Sequence, residues 1–303
     1  MQIGFVGLGK MGGNMVHRIR RDSEHEVVAF DFSADAVKEA EGHGASGADS
    51  LEKLVSQLSA PRHVWVMVPA GDPTQSTIET LLGLLEAGDT IIDGGNSKWR
   101  DSVDRFALCS ARDINFIDVG TSGGVWGLEV GYCMMVGGDA GAIERLSPIL
   151  DVLAPPKGWA RMGGPGSGHY VKMVHNGIEY GMMQAYAEGF ELLHKSEYGL
   201  DVKQIADVWG QGSVVRSWLL ELAVRAFDVD GNDLSELEGY VNDSGEGRWT
   251  LESAVDHDVP MPVLAAAIFS RFTSRGNGDY TARMLAALRN QFGGHAVNKA
   301  SGV

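Results

Sequence analysis

The chain has 303 residues, 44% of them hydrophobic, and 40 acidic against 25 basic side chains give it a formal charge of −15. That length suits two domains, each with a core of its own. The acidic balance argues against a nucleic acid or an anionic membrane as partner, since either demands a basic footprint, and an anionic small-molecule substrate would need a local cluster of cations.

Cys109 and Cys133 are the only cysteines, which argues against a disulfide framework and for a reducing compartment. There is no basic stretch followed by an apolar one at the start and no run of about 20 uncharged apolar residues, so a cytoplasmic protein is expected.

In chain order, short apolar runs at 2–6, 27–31, 63–68, 90–93, 115–119 and 132–136 read as strands. Segments of helical periodicity such as 34–41 and 73–85 separate them. This alternation predicts an α/β Rossmann-type, doubly wound and largely parallel domain over residues 1–162. Beyond the Gly-rich stretch 163–168 the period changes. Helical patterns at 202–209, 218–227, 250–257 and 262–272 predict an all-α domain over 163–303.

The first strand leads into IGFVGLGKMGGNM, where Gly7, Gly9 and Gly12 form G-x-G-x-x-G around Leu8, Lys10 and Met11. The glycines allow a tight turn and a close approach of backbone to a pyrophosphate, and the helix start favours its charge. Asp31, 19 residues after Gly12, stands where a carboxylate accepts hydrogen bonds from an adenosine ribose. An acid there repels a 2′-phosphate, and Phe32 follows where an NADP reader would want Arg. NAD is therefore expected in preference to NADP.

The segment GHYVKMVHNGIEYGMMQ, 168–184, reads as one helix. At about 100° per residue, Lys172, His175, Asn176, Glu179 and Tyr180 fall within an arc of roughly 140°. Lys172 and Glu179 are two turns apart, about 10 Å along the axis, so long side chains can converge on one substrate from opposite ends. A neutral amine can take a proton and a carboxylic acid can return one. Pattern alone leaves two readings open, a wet surface stripe and an active-site wall. Tyr, Asn and His make a poor solubilising face, and Gly177 and Gly181 weaken the helix unless something packs closely behind it.

That helix resembles the signature helix of the decarboxylating 6-phosphogluconate dehydrogenases, and further motifs agree in order along nearly the whole chain. MVPAG at 67–71 is similar to the family's cofactor loop, DGGNS at 93–97 to its Asn-bearing turn, and GTSGGVWG at 120–127 to its substrate loop. RWT at 248–250, FSR at 269–271 and RNQFGGH at 289–295 extend the match. The resemblance implies Lys172 as general base and Glu179 as general acid. It implies Asn96, Ser122, Gly123, Gly124, His175 and Asn176 around the sugar acid, and Tyr180, Arg271, Arg289 and His295 around its phosphate. Val68, Pro69, Ala70 and Asn96 would join the glycine loop in holding the dinucleotide. The chain resembles the family's short form; in longer relatives the equivalents of Arg289 and His295 come from a neighbouring subunit, which implies a homodimer or homotetramer. It departs from the longer relatives at Ser244, where they carry Lys, and at Asp31-Phe32, where NADP-dependent ones carry Asn-Arg. Phosphate affinity would then rest on Arg271, Arg289, His295 and the Ser244 hydroxyl.

No H-E-x-x-H or Cys-rich ligand spacing occurs, and no metal is expected. His169 and the two cysteines read as packing residues. Two alternatives stand beside the decarboxylating enzyme. A dehydrogenase of the 3-hydroxyisobutyrate type would do without protonation by Glu179 and without the basic C-terminal motif. A non-catalytic dinucleotide sensor would have degraded catalytic positions, whereas Lys172, His175, Asn176 and Glu179 are all present.

Overall fold

The computed structural model describes residues 1–293. The chain divides into two compact units, Met1–His175 and Asn176–Val303, and one long helix contributes to both.

The first unit is an eight-stranded sheet of β1 (Gln2–Val6), β2 (Glu26–Phe30), β3 (Ser46–Gly47), β4 (His63–Val66), β5 (Thr90–Asp93), β6 (Asn115–Ser122), β7 (Cys133–Gly138) and β8 (Trp159–Gly163). The order is β3-β2-β1-β4-β5-β6-β7-β8. All neighbours are parallel except β6 and β7, which run antiparallel with Ser122 opposite Cys133. The strand order reverses between β1 and β4, and the ends of strands at such a switch point leave a crevice for a ligand.

Both faces are covered, so the central strands are apolar throughout. On one face α1 (Lys10–Asp22), α2 (Ala34–Gly42) and α7 (Ala140–Leu153) bury Met15, Ile19, Ala40, Leu146 and Leu150 against Ile3, Phe5 and Ile117. On the other, α3 (Leu51–Ser56), α4 (Asp72–Leu82) and α5 (Trp99–Ser110) bury Leu54, Ile78, Leu81 and Cys109 against Val64, Ile91 and Phe116. A single 3-10 turn, Gly124–Trp126, and the short α6 (Gly127–Val130) connect β6 to β7.

The long helix α8 (Ser167–His194) starts in the first unit and continues into the second. There it is joined by α9 (Val202–Gly210), α10 (Trp218–Asp230), α11 (Glu246–Asp256), α12 (Pro262–Ser274) and α13 (Asp279–Gly293). Phe190 of α8 packs with Val202, Ala206, Leu220 and Phe227, and Tyr180 packs with Leu264, Ala267 and Ile268. Glycine brings α11 close to the same stretch of α8. A Cβ on Gly177 would lie 2.7 Å from Thr250 Cγ2, and one on Gly247 would lie 2.6 Å from Tyr180. The weakening of the helix by Gly177 is thus the condition for α11 to approach.

Several elements differ from the sequence reading. The strands β3 and β8 and the helix α13 were not expected, and α8 extends ten residues beyond 184. The second strand stops at Phe30 rather than Asp31, because its partner β1 ends opposite it at Val6, where Gly7 turns the chain with φ +94°.

Candidate active site

The glycine loop follows β1 at the switch point. Gly7 has φ +94°, and a Cβ there would stand 2.4 Å from Met67 O; one on Gly12 would stand 2.0 Å from Gly7 O. These two glycines are required by backbone packing. Gly9 differs, since a Cβ there meets nothing within 4 Å. Its open side lies at the start of α1, which has no side-chain cap and no acid in its first turn. Uncapped N–H groups at a helix start fit a pyrophosphate. Asp31 braces the loop: Leu8 N–H donates to its Oδ2 (2.7 Å) and Ser33 N–H to its Oδ1 (2.8 Å). Phe32 beside it is 95% exposed. From β4, Val68, Pro69 and Ala70 lead to α4, with Thr74 Oγ donating to Pro69 O (2.9 Å). These residues suit a dinucleotide.

The turn bearing Asn96 is built from buried charge. Asp93, at the end of β5, accepts from Gly95 N–H (3.3 Å), Ser97 Oγ (2.9 Å) and Arg105 Nη1 (3.0 Å). Asp93 and Arg105 are both buried, so each offsets the other's desolvation. Asn96 itself is exposed between two fixed neighbours.

One face of β6 prepares the start of α8. Asp118, Gly120 and Ser122 alternate onto the same side. Asp118 accepts from the N–H groups of Gly166 (2.7 Å) and His169 (2.9 Å), capping the helix. Lys172 lies so close to Gly120 that a Cβ there would be 2.2 Å from Lys172 Cβ. Ser122 ends the strand, and Gly123 and Gly124 take φ +125° and +53°, the left-handed side that favours glycine. The segment after them is tied to α1: Asn14 donates to Val125 O (3.3 Å) and Arg18 to Leu128 O (2.9 Å), while Arg18 also reaches Val152 O of α7 (2.9 Å).

Along α8, Lys172 is 7% exposed, Tyr180 is buried, and His175, Asn176 and Glu179 are half-buried. The wet-stripe reading is therefore wrong for this helix. Its exposed positions include the apolar Ile178 (57%) and Met182.

In the second unit Tyr180 OH accepts from Ser244 N–H (3.1 Å) and lies 3.4 Å from Ser244 Oγ. The Arg271 guanidinium stacks 3.6 Å above the Tyr180 ring and has no acidic partner among the described residues. Two nearby arginines are spoken for. Arg248 donates twice to Asp243 (both 2.9 Å) and Arg275 once (3.1 Å). Above all through the Arg248 hydrogen bonds, the Asp243 carboxyl is held down at about 2. Arg271, which also donates to Asn242 O (3.4 Å), thus lies beside Tyr180 with its charge unmatched by a carboxylate among the described residues. Arg289 is exposed on α13, apart from any ion pair among the described residues, and His295 lies outside them.

Sequence reasoning missed the residues that support the Lys172-bearing turn. Asp118 looked like one more strand residue and His169 like a packing histidine. The one available signal was an acid inside the otherwise apolar FIDVG run. Of the cysteines, Cys109 is buried, which pushes its thiol up to about 12, whereas Cys133 is exposed and not a packing residue.

Comparison with known proteins agrees with this geometry. Residues 2–165 match the family model for the NAD binding domain of 6-phosphogluconate dehydrogenase, and residues 168–301 that for its C-terminal domain. The chain is 46% identical to an NAD(+)-dependent, decarboxylating 6-phosphogluconate dehydrogenase of Haloferax volcanii, over 98% of each chain. It is 44% identical to a putative 6-phosphogluconate dehydrogenase of Bacillus subtilis, covering 99% of this chain and 100% of the other. Among solved structures it is similar to Plasmodium falciparum 6-phosphogluconate dehydrogenase, with TM-score 0.82, 27% identity, and coverage of 100% of this chain and 67% of that one. A 3-hydroxyisobutyrate dehydrogenase of Mycobacterium tuberculosis shares the fold at 22% identity and TM-score 0.73, over 91% and 93% of the two chains. The chain belongs to the 6-phosphogluconate dehydrogenase family.

Proposed function

We propose that this chain oxidatively decarboxylates 6-phospho-D-gluconate to D-ribulose 5-phosphate and CO2, with NAD preferred over NADP. The observation that carries the reading is the burial of Lys172 against Gly120, two helical turns from the half-buried Glu179. Bound NAD supplies the hydride acceptor for C3. Lys172, in its neutral form, takes the proton of the C3 hydroxyl as the hydride leaves. Its ammonium, with His175 and Asn176 nearby in sequence, then polarises the 3-keto group. Loss of CO2 from the β-keto acid leaves an enediol, and stabilising its developing oxyanion is the main electrostatic task. Glu179 protonates the carbon that carried the carboxylate, C2 of the substrate, which becomes C1 of the ribulose 5-phosphate.

Arg271, Ser244 and Tyr180 take the phosphate in this reading, with Ser122, Gly123, Gly124 and Asn96 on the sugar acid. The preference for NAD is supported by Asp31, whose carboxylate repels a 2′-phosphate, and by the absence of a cation at Phe32. A homo-oligomer, dimer or tetramer, is supported by apolar side chains left exposed on the helical unit: Ile178 and Met182 on α8, Val263 and Phe269 on α12, Leu285 and Leu288 on α13. Arg289 and His295 would then reach the phosphate of a neighbouring subunit's substrate. The cytoplasm suits this reading, since both thiols are free.

Replacing Lys172 by Met tests the assignment. Turnover should be lost while NADH binding, followed by fluorescence, stays near the parent value; turnover within tenfold of the parent would sink it.

A further inference from the structure

We propose that His169 is a positioning residue that holds the Lys172-bearing turn of α8 in register with the Asn96 turn. The inference rests on Lys172 being the base.

His169 is buried, and each of its polar atoms apart from its carbonyl goes to a different element. Its N–H donates to Asp118 Oδ2 on β6 (2.9 Å), Nε2 lies 3.1 Å from Gly95 O after β5, and Nδ1 lies 2.7 Å from Ser102 Oγ on α5. A carbonyl oxygen only accepts, so Nε2 carries the hydrogen and donates to Gly95. With the proton there, Nδ1 accepts the Ser102 hydroxyl. The ring is thereby fixed in both tautomer and rotation.

Its two ends matter for chemistry. Lys172 follows three residues later, on the same side of the helix. Gly95 precedes Asn96, whose turn Asp93 holds from within through Gly95 N–H and Ser97 Oγ. Those bonds set the shape of the turn, and the His169 bond sets its place relative to α8. A space-filling side chain at this position would keep the backbone bond to Asp118 but would not need the two ring bonds, to the turn after β5 and to α5. The rigid ring offers two nitrogens at a fixed separation, one for each neighbour.

Glutamine and asparagine separate this role from packing. The Gln Nε2 can occupy the place of the imidazole Nε2 and still donate to Gly95, whereas Asn reaches only the Nδ1 place and the Ser102 hydroxyl. At saturating NAD, His169→Gln should lower kcat/KM for 6-phosphogluconate about threefold to tenfold, and His169→Asn about 100-fold, the scale of a 1 Å misplacement. Equal losses in the two variants, or none in either, would overturn the proposal. If neither variant folds, Ser102→Ala leaves the ring in place without its orienting hydroxyl. A loss of threefold or more there supports the proposal, and unchanged kinetics overturn it. Lys172→Met is run beside them: an active Lys172→Met enzyme refutes the assignment of the base, whereas an inactive one with no difference between Gln and Asn refutes the role of His169.

Discussion

Gly120→Ala is the sharpest perturbation of the lysine's placement. The added Cβ would stand 2.2 Å from Lys172 Cβ and 2.8 Å from Gly168 O, where carbon atoms settle at about 3.5–4.0 Å. Neither neighbour is the free end of a flexible chain, and β6 cannot withdraw because it is paired on both sides, to β5 and β7. The start of α8 must therefore retreat by roughly 1.5 Å. Overpacking of this kind costs about 1–3 kcal/mol of stability, which a two-domain protein can survive. A 1 Å displacement of a reacting group costs on the order of 100-fold in rate. The expected variant melts a few degrees lower, binds NADH normally and turns over at about 1% of the parent rate or less. Thermal melting, NADH fluorescence and initial rates at saturating 6-phosphogluconate are the assays. A folded Gly120→Ala protein with kcat within threefold of the parent would refute the placement of the base.

Three other outcomes are expected. Asp31→Asn with Phe32→Arg should move the ratio of kcat/KM for NAD over NADP toward NADP by roughly 10- to 100-fold, read from initial rates with both cofactors. Arg271→Ala removes the cation above Tyr180, which no carboxylate among the described residues neutralises, and should raise KM for 6-phosphogluconate by about 30- to 150-fold, the worth of a charge-assisted bond of roughly 2–3 kcal/mol, with a much smaller change in NADH affinity. Asp243 has a folded-state pKa of about 2, below the ordinary carboxylate value near 3.9. Its stabilisation is thus fully present above pH ~4 and lost as pH falls toward ~2. Asp243→Asn should cost about 1–2 kcal/mol at pH 7, the partial exposure of Arg248 limiting the effect. Urea midpoints of variant and parent should converge as the pH is lowered from 5 to 2.

The first unit was legible because its strands are buried on both faces and its glycine loop has a local signature. What was missed has physical reasons. β8 lies at the sheet's edge with mostly exposed side chains, so no apolar alternation marks it. β3 is two residues long. Tyr280, Met284, Leu285 and Leu288 of α13 are exposed, so its apolar periodicity points at no core among the described residues. In the site, helical spacing placed Lys172 and Glu179 on one face, but whether that face was wet depended on burial. The partners of His169 are 51, 67 and 74 residues away in sequence. No local pattern announces such a residue; only the fold brings β5, β6 and α5 to it.

The reaction itself is tested most directly by stoichiometry. With 6-phosphogluconate labelled at C1 and NAD in excess, NADH and labelled CO2 should appear in a 1:1 ratio, together with a pentulose phosphate. NADH formed without CO2 would contradict the decarboxylation and leave a plain hydroxyacid dehydrogenase, and no NADH at all would contradict the enzyme.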